Sequence, residues 1–154
     1  EYSDVYQNKT TGDPLNMLFS RACEHGIRAV LYLASLEGDG PVQVKDIAEA
    51  LDVPFPFLAK IVQSLSRKGV LRSQKGPGGG VALAADAGQT SLLDVIDAID
   101  GLRDLKERCV LGLPQCSSEE PCALHEEWGQ MRDRFVKELG TRSVLEFGKD
   151  TPPV

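Results

Sequence analysis

Residues 42–71, VQVKDIAEALDVPFPFLAKIVQSLSRKGVL, decide the fold. Ile47, Ala48 and Leu51 recur at helical spacing, and so do Leu58, Ile61, Val62 and Leu65. Val53 with Pro54 and Pro56 makes a turn between the two runs. Two short helices joined by a tight turn, with small Ala48 at the crossing, read as a helix-turn-helix. An ordinary helical hairpin fits the periodicity equally well. The second helix favours the former: Phe57, Lys60, Gln63, Ser64 and Arg67 stand off its apolar stripe, where they can reach bases or phosphates.

Downstream, Gly69 suits a helix C-terminus. VLRSQK then reads as a strand, GPGGG as a turn and VALA as the return strand. GPGGG lacks the Lys-Ser/Thr pair of a P-loop, and a strand rather than a helix follows it. A helix-turn-helix followed by a basic, glycine-rich hairpin is a winged helix, and Gly78 and Gly79 let the wing backbone lie close to DNA. Charge supports this. The chain carries a net −6, yet residues 53–85 hold Lys60, Arg67, Lys68, Arg72 and Lys75 and no acid. Such a basic window in an acidic chain is the footprint of a phosphate-binding surface.

Upstream, Ser20 is a candidate N-cap for a helix to Leu36, with Cys23, Ile27, Val30, Leu31 and Ala34 on its apolar face. Cys23 reads as a small buried hydrophobe, and Glu24 as the i, i+4 ion-pair partner of Arg28. Residues 1–16 show no apolar period and are expected to be a flexible extension, with Met17 as a candidate start. They show no charged-then-apolar signal pattern, so a reducing cytoplasm is expected. There is no run of 18 apolar residues, and no membrane partner is expected.

Beyond the wing, Thr90 or Ser91 caps a helix carrying Leu92, Leu93, Val95, Ile96 and Ile99, and Gly101 ends it. The charged segment Asp104–Arg108 leads into residues 109–125, CVLGLPQCSSEEPCALH. Turn formers there allow Cys109, Cys116 and Cys122 to surround one centre. His125 follows Cys122 by three residues, on the same face of a first helical turn. Three soft thiolates and an imidazole suit an iron–sulfur cluster or zinc, although the gaps match neither a zinc knuckle nor the common ferredoxin runs. A longer helix follows, and Leu124, Trp128, Met131, Phe135 and Leu139 form a seam near period 3.6. A winged helix already has its own core, so this seam implies a partner helix, most simply in a homodimer.

Residues 17–147 resemble the family of dimeric winged-helix repressors that includes the iron–sulfur assembly regulator IscR and the nitric-oxide sensor NsrR. The matching pieces are MLFSRACEHGIRAVLYLA, the helix-turn-helix, RSQKGPGGGVAL, SLLDVIDAIDG and the cysteine loop. The resemblance implies that Cys109, Cys116 and Cys122 hold an Fe–S cluster. It implies His125 as fourth ligand, or, as in other members, a carboxylate from the partner subunit's first helix, where this chain has Glu24. The loop between the first two cysteines is one residue longer here than in IscR. We expect His125 and a [2Fe–2S] cluster, with [4Fe–4S] as the alternative.

The expected protein is thus mainly α with a small β wing. Residues 17–103 form the winged helix-turn-helix domain, 104–147 the cluster loop and dimerisation helix, and 148–154 a frayed tail. The expected function is sequence-specific transcription regulation, usually repression, with DNA affinity set by a cluster that senses redox state, nitric oxide or iron–sulfur supply. Lys60, Gln63 and Ser64 would face base edges; Arg67, Arg72 and Lys75 would meet phosphates or the minor groove. The alternatives are a regulator of the same fold controlled by zinc or a disulfide, and a thiol or metal enzyme using Cys122 and His125. The enzyme leaves the basic window and wing unexplained, and is not expected.

Overall fold

The computed structural model describes residues 18–152; the expected extension, 1–16, lies outside them. Seven helices and one hairpin follow in order among the described residues: α1 (Arg21–Ser35), α2 (Val44–Leu51), α3 (Phe55–Arg67), β1 (Leu71–Gln74), β2 (Gly80–Leu83), α4 (Leu92–Ile99), α5 (Arg103–Glu107), α6 (His125–Thr141) and α7 (Val144–Asp150). The fold is mainly α with a two-stranded antiparallel wing, as the sequence implies.

The core assembles around α1, which packs on α3, α4 and α7. Because α1 is covered on several sides, its buried surface is wider than one stripe. Gly26, Ala29 and Leu33 are buried with Cys23, Val30 and Leu31, while Ile27 and Ala34 are half-buried. A Cβ at Gly26 would lie 2.2 Å from Ile99 Cδ1, so α1 and α4 approach closely only because that position has no side chain. Ser20 caps α1 through its hydroxyl, which accepts the Cys23 N–H at 3.1 Å and donates to Asp100 at 2.5 Å. The cap therefore also ties α1 to the end of α4.

Ile47, Leu51, Leu58 and Leu65 are fully buried between α2 and α3 and beneath them. Each contributes about 1.5–3 kcal/mol relative to an exposed position. Ala48, 3 % exposed, lies in the crossing. Asp52 turns the chain at φ 53°, so α2 ends in a left-handed cap. Pro54 caps α3, but Pro56 belongs to the first turn of α3 rather than to the turn before it. Its missing N–H has no intrahelical partner there in any case. Arg28 does not pair with Glu24. Its guanidinium donates to the Leu51 carbonyl at 3.0 Å, an end-of-helix carbonyl that welcomes a cation.

Residue 42 extends the wing. Val42 and Val81 exchange two backbone hydrogen bonds of 2.8 Å each, anchoring β2 to the chain entering α2. Helices α4 and α7 begin side by side, each with a capping box, Ser91 with Asp94 and Ser143 with Glu146. The Val144 N–H donates to the Thr90 carbonyl at 2.8 Å. The expected fraying from Gly148 does not occur before Asp150: Gly148 is buried against Ala34, where a Cβ would come within 2.7 Å of the alanine's. Among the described residues, no helix is long and apolar enough to cross a membrane.

Candidate metal centre and nucleic-acid interface

The cysteine loop links α5, a short helix formed by the charged segment before it, to α6. Backbone bonds set its shape. The Gly112 N–H donates to the Cys109 carbonyl at 3.1 Å, Cys116 N–H to the Glu107 carbonyl at 3.3 Å, and His125 N–H to the Cys122 carbonyl at 3.1 Å. The Trp128 indole N–H donates to the Arg108 carbonyl at 2.8 Å. Trp128 thus clamps the start of the loop to α6, a role the seam reading missed.

The four donors fall into two pairs. Cys109 Sγ lies 3.7 Å from Cys122 Sγ, and Cys116 Sγ lies 3.4 Å from His125 Nδ1. Metal–sulfur bonds of about 2.3 Å and metal–nitrogen bonds of about 2.0–2.1 Å give tetrahedral edges of roughly 3.7 Å for S···S and roughly 3.5 Å for S···N. Each pair therefore has the span of two ligands on one metal. Among the described residues, no three His, Cys or carboxylate groups gather closely enough to hold a single ion. A structural zinc needs four donors on one ion, whereas a two-iron cluster takes two on each. Two donor pairs of this span are compatible with the latter.

All four cysteines are free thiols. Cys109 is 2 % exposed. Burial opposes its ionisation, but N–H groups of Leu113, Leu111 and Gly112 and the Cys122 thiol outweigh that and hold its pKa below the ordinary thiol value. A thiol held below its ordinary pKa suits a ligating thiolate. The Leu124 amide lowers the Cys122 pKa, but burial and the adjacent Cys109 outweigh it and leave that thiol above the ordinary value. The His125 ring faces Cys116, not Cys122, so the Cys122–His125 pair of a thiol enzyme does not form. Cys23 stands apart: burial, then Asp100, pushes it up to about 12, the state of an inert core thiol.

The second surface lies between α3 and the wing. A shallow groove of about 520 Å³ is lined by Lys60, Gln63, Ser66, Ser73 and Gly80, among others. Lys60, Gln63 and Arg67 are exposed on α3, and Ser64 is half-buried beside them. Lys75 and Gly78 are exposed at the wing tip. Gly79 is required by the hairpin itself, since a Cβ there would meet the Gln74 carbonyl at 2.3 Å. Phe57 is 38 % exposed and meets the His25 ring edge-on at 5.7 Å.

Arg72 is placed differently from expectation. Strand alternation sends Ser73 toward α3 and Arg72 to the opposite face. There its guanidinium donates to the Leu83 carbonyl at 3.2 Å and to the Asp39 carbonyl at 2.7 Å. Ser66 and Ser73, whose hydroxyls are 3.1 Å apart, join α3 to the wing and were not singled out from the sequence. The two-residue period of β1 could have found Ser73.

A family model described as an iron-dependent transcriptional regulator, Rrf2, matches residues 19–150. The helix-turn-helix-type transcriptional regulator IscR of Xenorhabdus nematophila is 32% identical over 126 residues, covering 82% of this chain and 76% of that protein. Among solved structures, CymR, the global cysteine regulator of B. subtilis, superposes with a TM-score of 0.73 at 23% identity, covering 87% of this chain and 98% of CymR. IscR of T. potens gives 0.65 at 22% identity, covering 90% of each chain. At these identities the superpositions speak to the fold.

Proposed function

This chain belongs to the Rrf2 family of transcriptional regulators, and we propose that it is a repressor whose hold on its operator is set by an iron–sulfur cluster bound at Cys109, Cys116, Cys122 and His125. Regulation of transcription, not enzymatic turnover, is the activity of the family. The observation that carries the cluster reading is the division of the four donors into two chelating pairs, 3.7 Å and 3.4 Å across. When bound, a [2Fe–2S] centre would supply a group that responds to electrons, to nitric oxide or to iron–sulfur supply.

The chain's own residues do the rest. Lys60, Gln63 and Ser64 on α3 meet base edges in the major groove; Arg67 and the wing-tip Lys75 meet phosphates, with Gly78 and Gly79 allowing close approach. Trp128 holds the loop to α6, the helix whose exposed apolar residues pair two copies. The ligand residues thus sit beside the element that fixes the distance between two recognition helices, and half-site spacing tolerates little change in that distance.

The test is operator selection from a random duplex pool, followed by affinity measurement with anaerobically loaded and metal-stripped chain at one salt concentration. The two forms should differ in affinity or in the sequences they select. Equal affinities and identical selected sequences would remove the cluster from control of DNA binding.

A further inference from the structure

We infer that the metal-free chain has a second redox chemistry: a hydroperoxide closes Cys109 and Cys122 into a disulfide, while Cys116 stays reduced. The inference rests on the proposed ligand set only for its consequence, that the oxidised chain cannot accept a cluster. Geometry selects the pair. Cys109 Sγ and Cys122 Sγ touch at 3.7 Å, whereas Cys116 Sγ faces the imidazole of His125. Bonding requires the two sulfurs to close to about 2.05 Å. The intervening chain, 110–121, contains no helix or strand, so side-chain rotation and a small loop adjustment can supply that approach. Cys23, fully buried in the core, lies outside the reaction.

Exposure sets the order of events. Cys122 is half-buried and Cys109 almost fully buried, so of this pair Cys122 meets the peroxide first. Its sulfur attacks one peroxide oxygen, the O–O bond breaks, and the departing alkoxide takes the thiol proton and leaves as an alcohol, or as water from hydrogen peroxide. The product is a sulfenic acid at Cys122. Cys109 sulfur then attacks Cys122 sulfur, forming the S–S bond and expelling hydroxide, which leaves as water with the Cys109 proton. The two thiols lose two electrons in all, and the O–O bond gains them. The disulfide removes both members of one donor pair.

The full chain, purified without oxygen and stripped of metal, is treated with hydrogen peroxide, alkylated, and cleaved after glutamate without reduction. Cleavage after Glu119 separates Cys122 from Cys109 and Cys116. Mass spectrometry should find Cys122 linked to Cys109, with Cys116 and Cys23 alkylated, and Cys116→Ser should form the same link. The oxidised chain should take up less than a tenth of the iron and sulfide taken up by the reduced chain, and a dithiol should restore loading. A link through Cys116, a link between chains, or three unlinked cysteines after peroxide would overturn the proposal. Full loading with the disulfide intact would overturn its consequence. A reduced chain that takes no iron or sulfide would instead defeat the cluster reading and leave the disulfide result standing.

Discussion

Cys116 and His125 are nine positions apart in the chain and 3.4 Å apart in space, and that contact supports His125 as the fourth donor we propose. The sequence makes the candidates legible because three cysteines and a histidine crowd into 17 residues, 109–125. It does not reveal how they pair, because the pairing follows from backbone bonds such as Cys116 N–H to the Glu107 carbonyl, which every residue type but proline can donate. Glu24 sits exposed on α1. The account predicts that His125→Ala shifts the visible absorption of the loaded chain and shortens the cluster's lifetime at least tenfold, whereas Glu24→Ala leaves both near those of the parent. The reverse pattern would move the fourth ligand to the partner's first helix.

The wing shows what a single element can and cannot disclose in advance. Its strands, its glycine turn and the alternation along β1 are all legible in the sequence. What Arg72 meets on its own face is not, because its partners include the Asp39 carbonyl, which comes from a distant segment. Once those partners are known, Arg72 and Lys75 part company. Lys75 stands exposed at the wing tip, while Arg72 bonds to two carbonyls at the wing's base. Lys75→Ala should weaken binding to all duplexes and reduce the slope of log affinity against log salt by about 0.9, the contribution of one phosphate contact. Arg72→Ala should weaken binding with the slope unchanged, by loosening the wing. Equal slope losses in the two variants would return Arg72 to the phosphate backbone.

At the scale of the whole molecule, the core and the order of elements follow from periodicity, but the proposed boundary at residue 147 cuts through a helix. α7 continues to Asp150 and packs on α1, and the reason, Gly148 fitting against Ala34, is a tertiary one. The α6 seam also divides. Leu139 is in the core and Trp128 serves the loop, whereas Leu124, Met131 and Phe135 are 44 %, 67 % and 37 % exposed. Covering them in a dimer would contribute up to about 1.5–3 kcal/mol at Met131 and less at Phe135, which is already largely covered. Met131→Glu with Phe135→Glu should therefore give a folded monomer by sedimentation, with an unchanged helical circular dichroism spectrum; a dimer of parent affinity would place the interface elsewhere. The most direct test of the central claim is elemental analysis of the anaerobically isolated chain, with its EPR spectrum after one-electron reduction. Two irons and two sulfides for each chain, with the paramagnetic signal of a reduced two-iron centre that is lost in Cys109→Ala, Cys116→Ala and Cys122→Ala, is the predicted result. One zinc for each chain, or a fully folded chain that retains neither iron nor sulfide after anaerobic reconstitution, would contradict it.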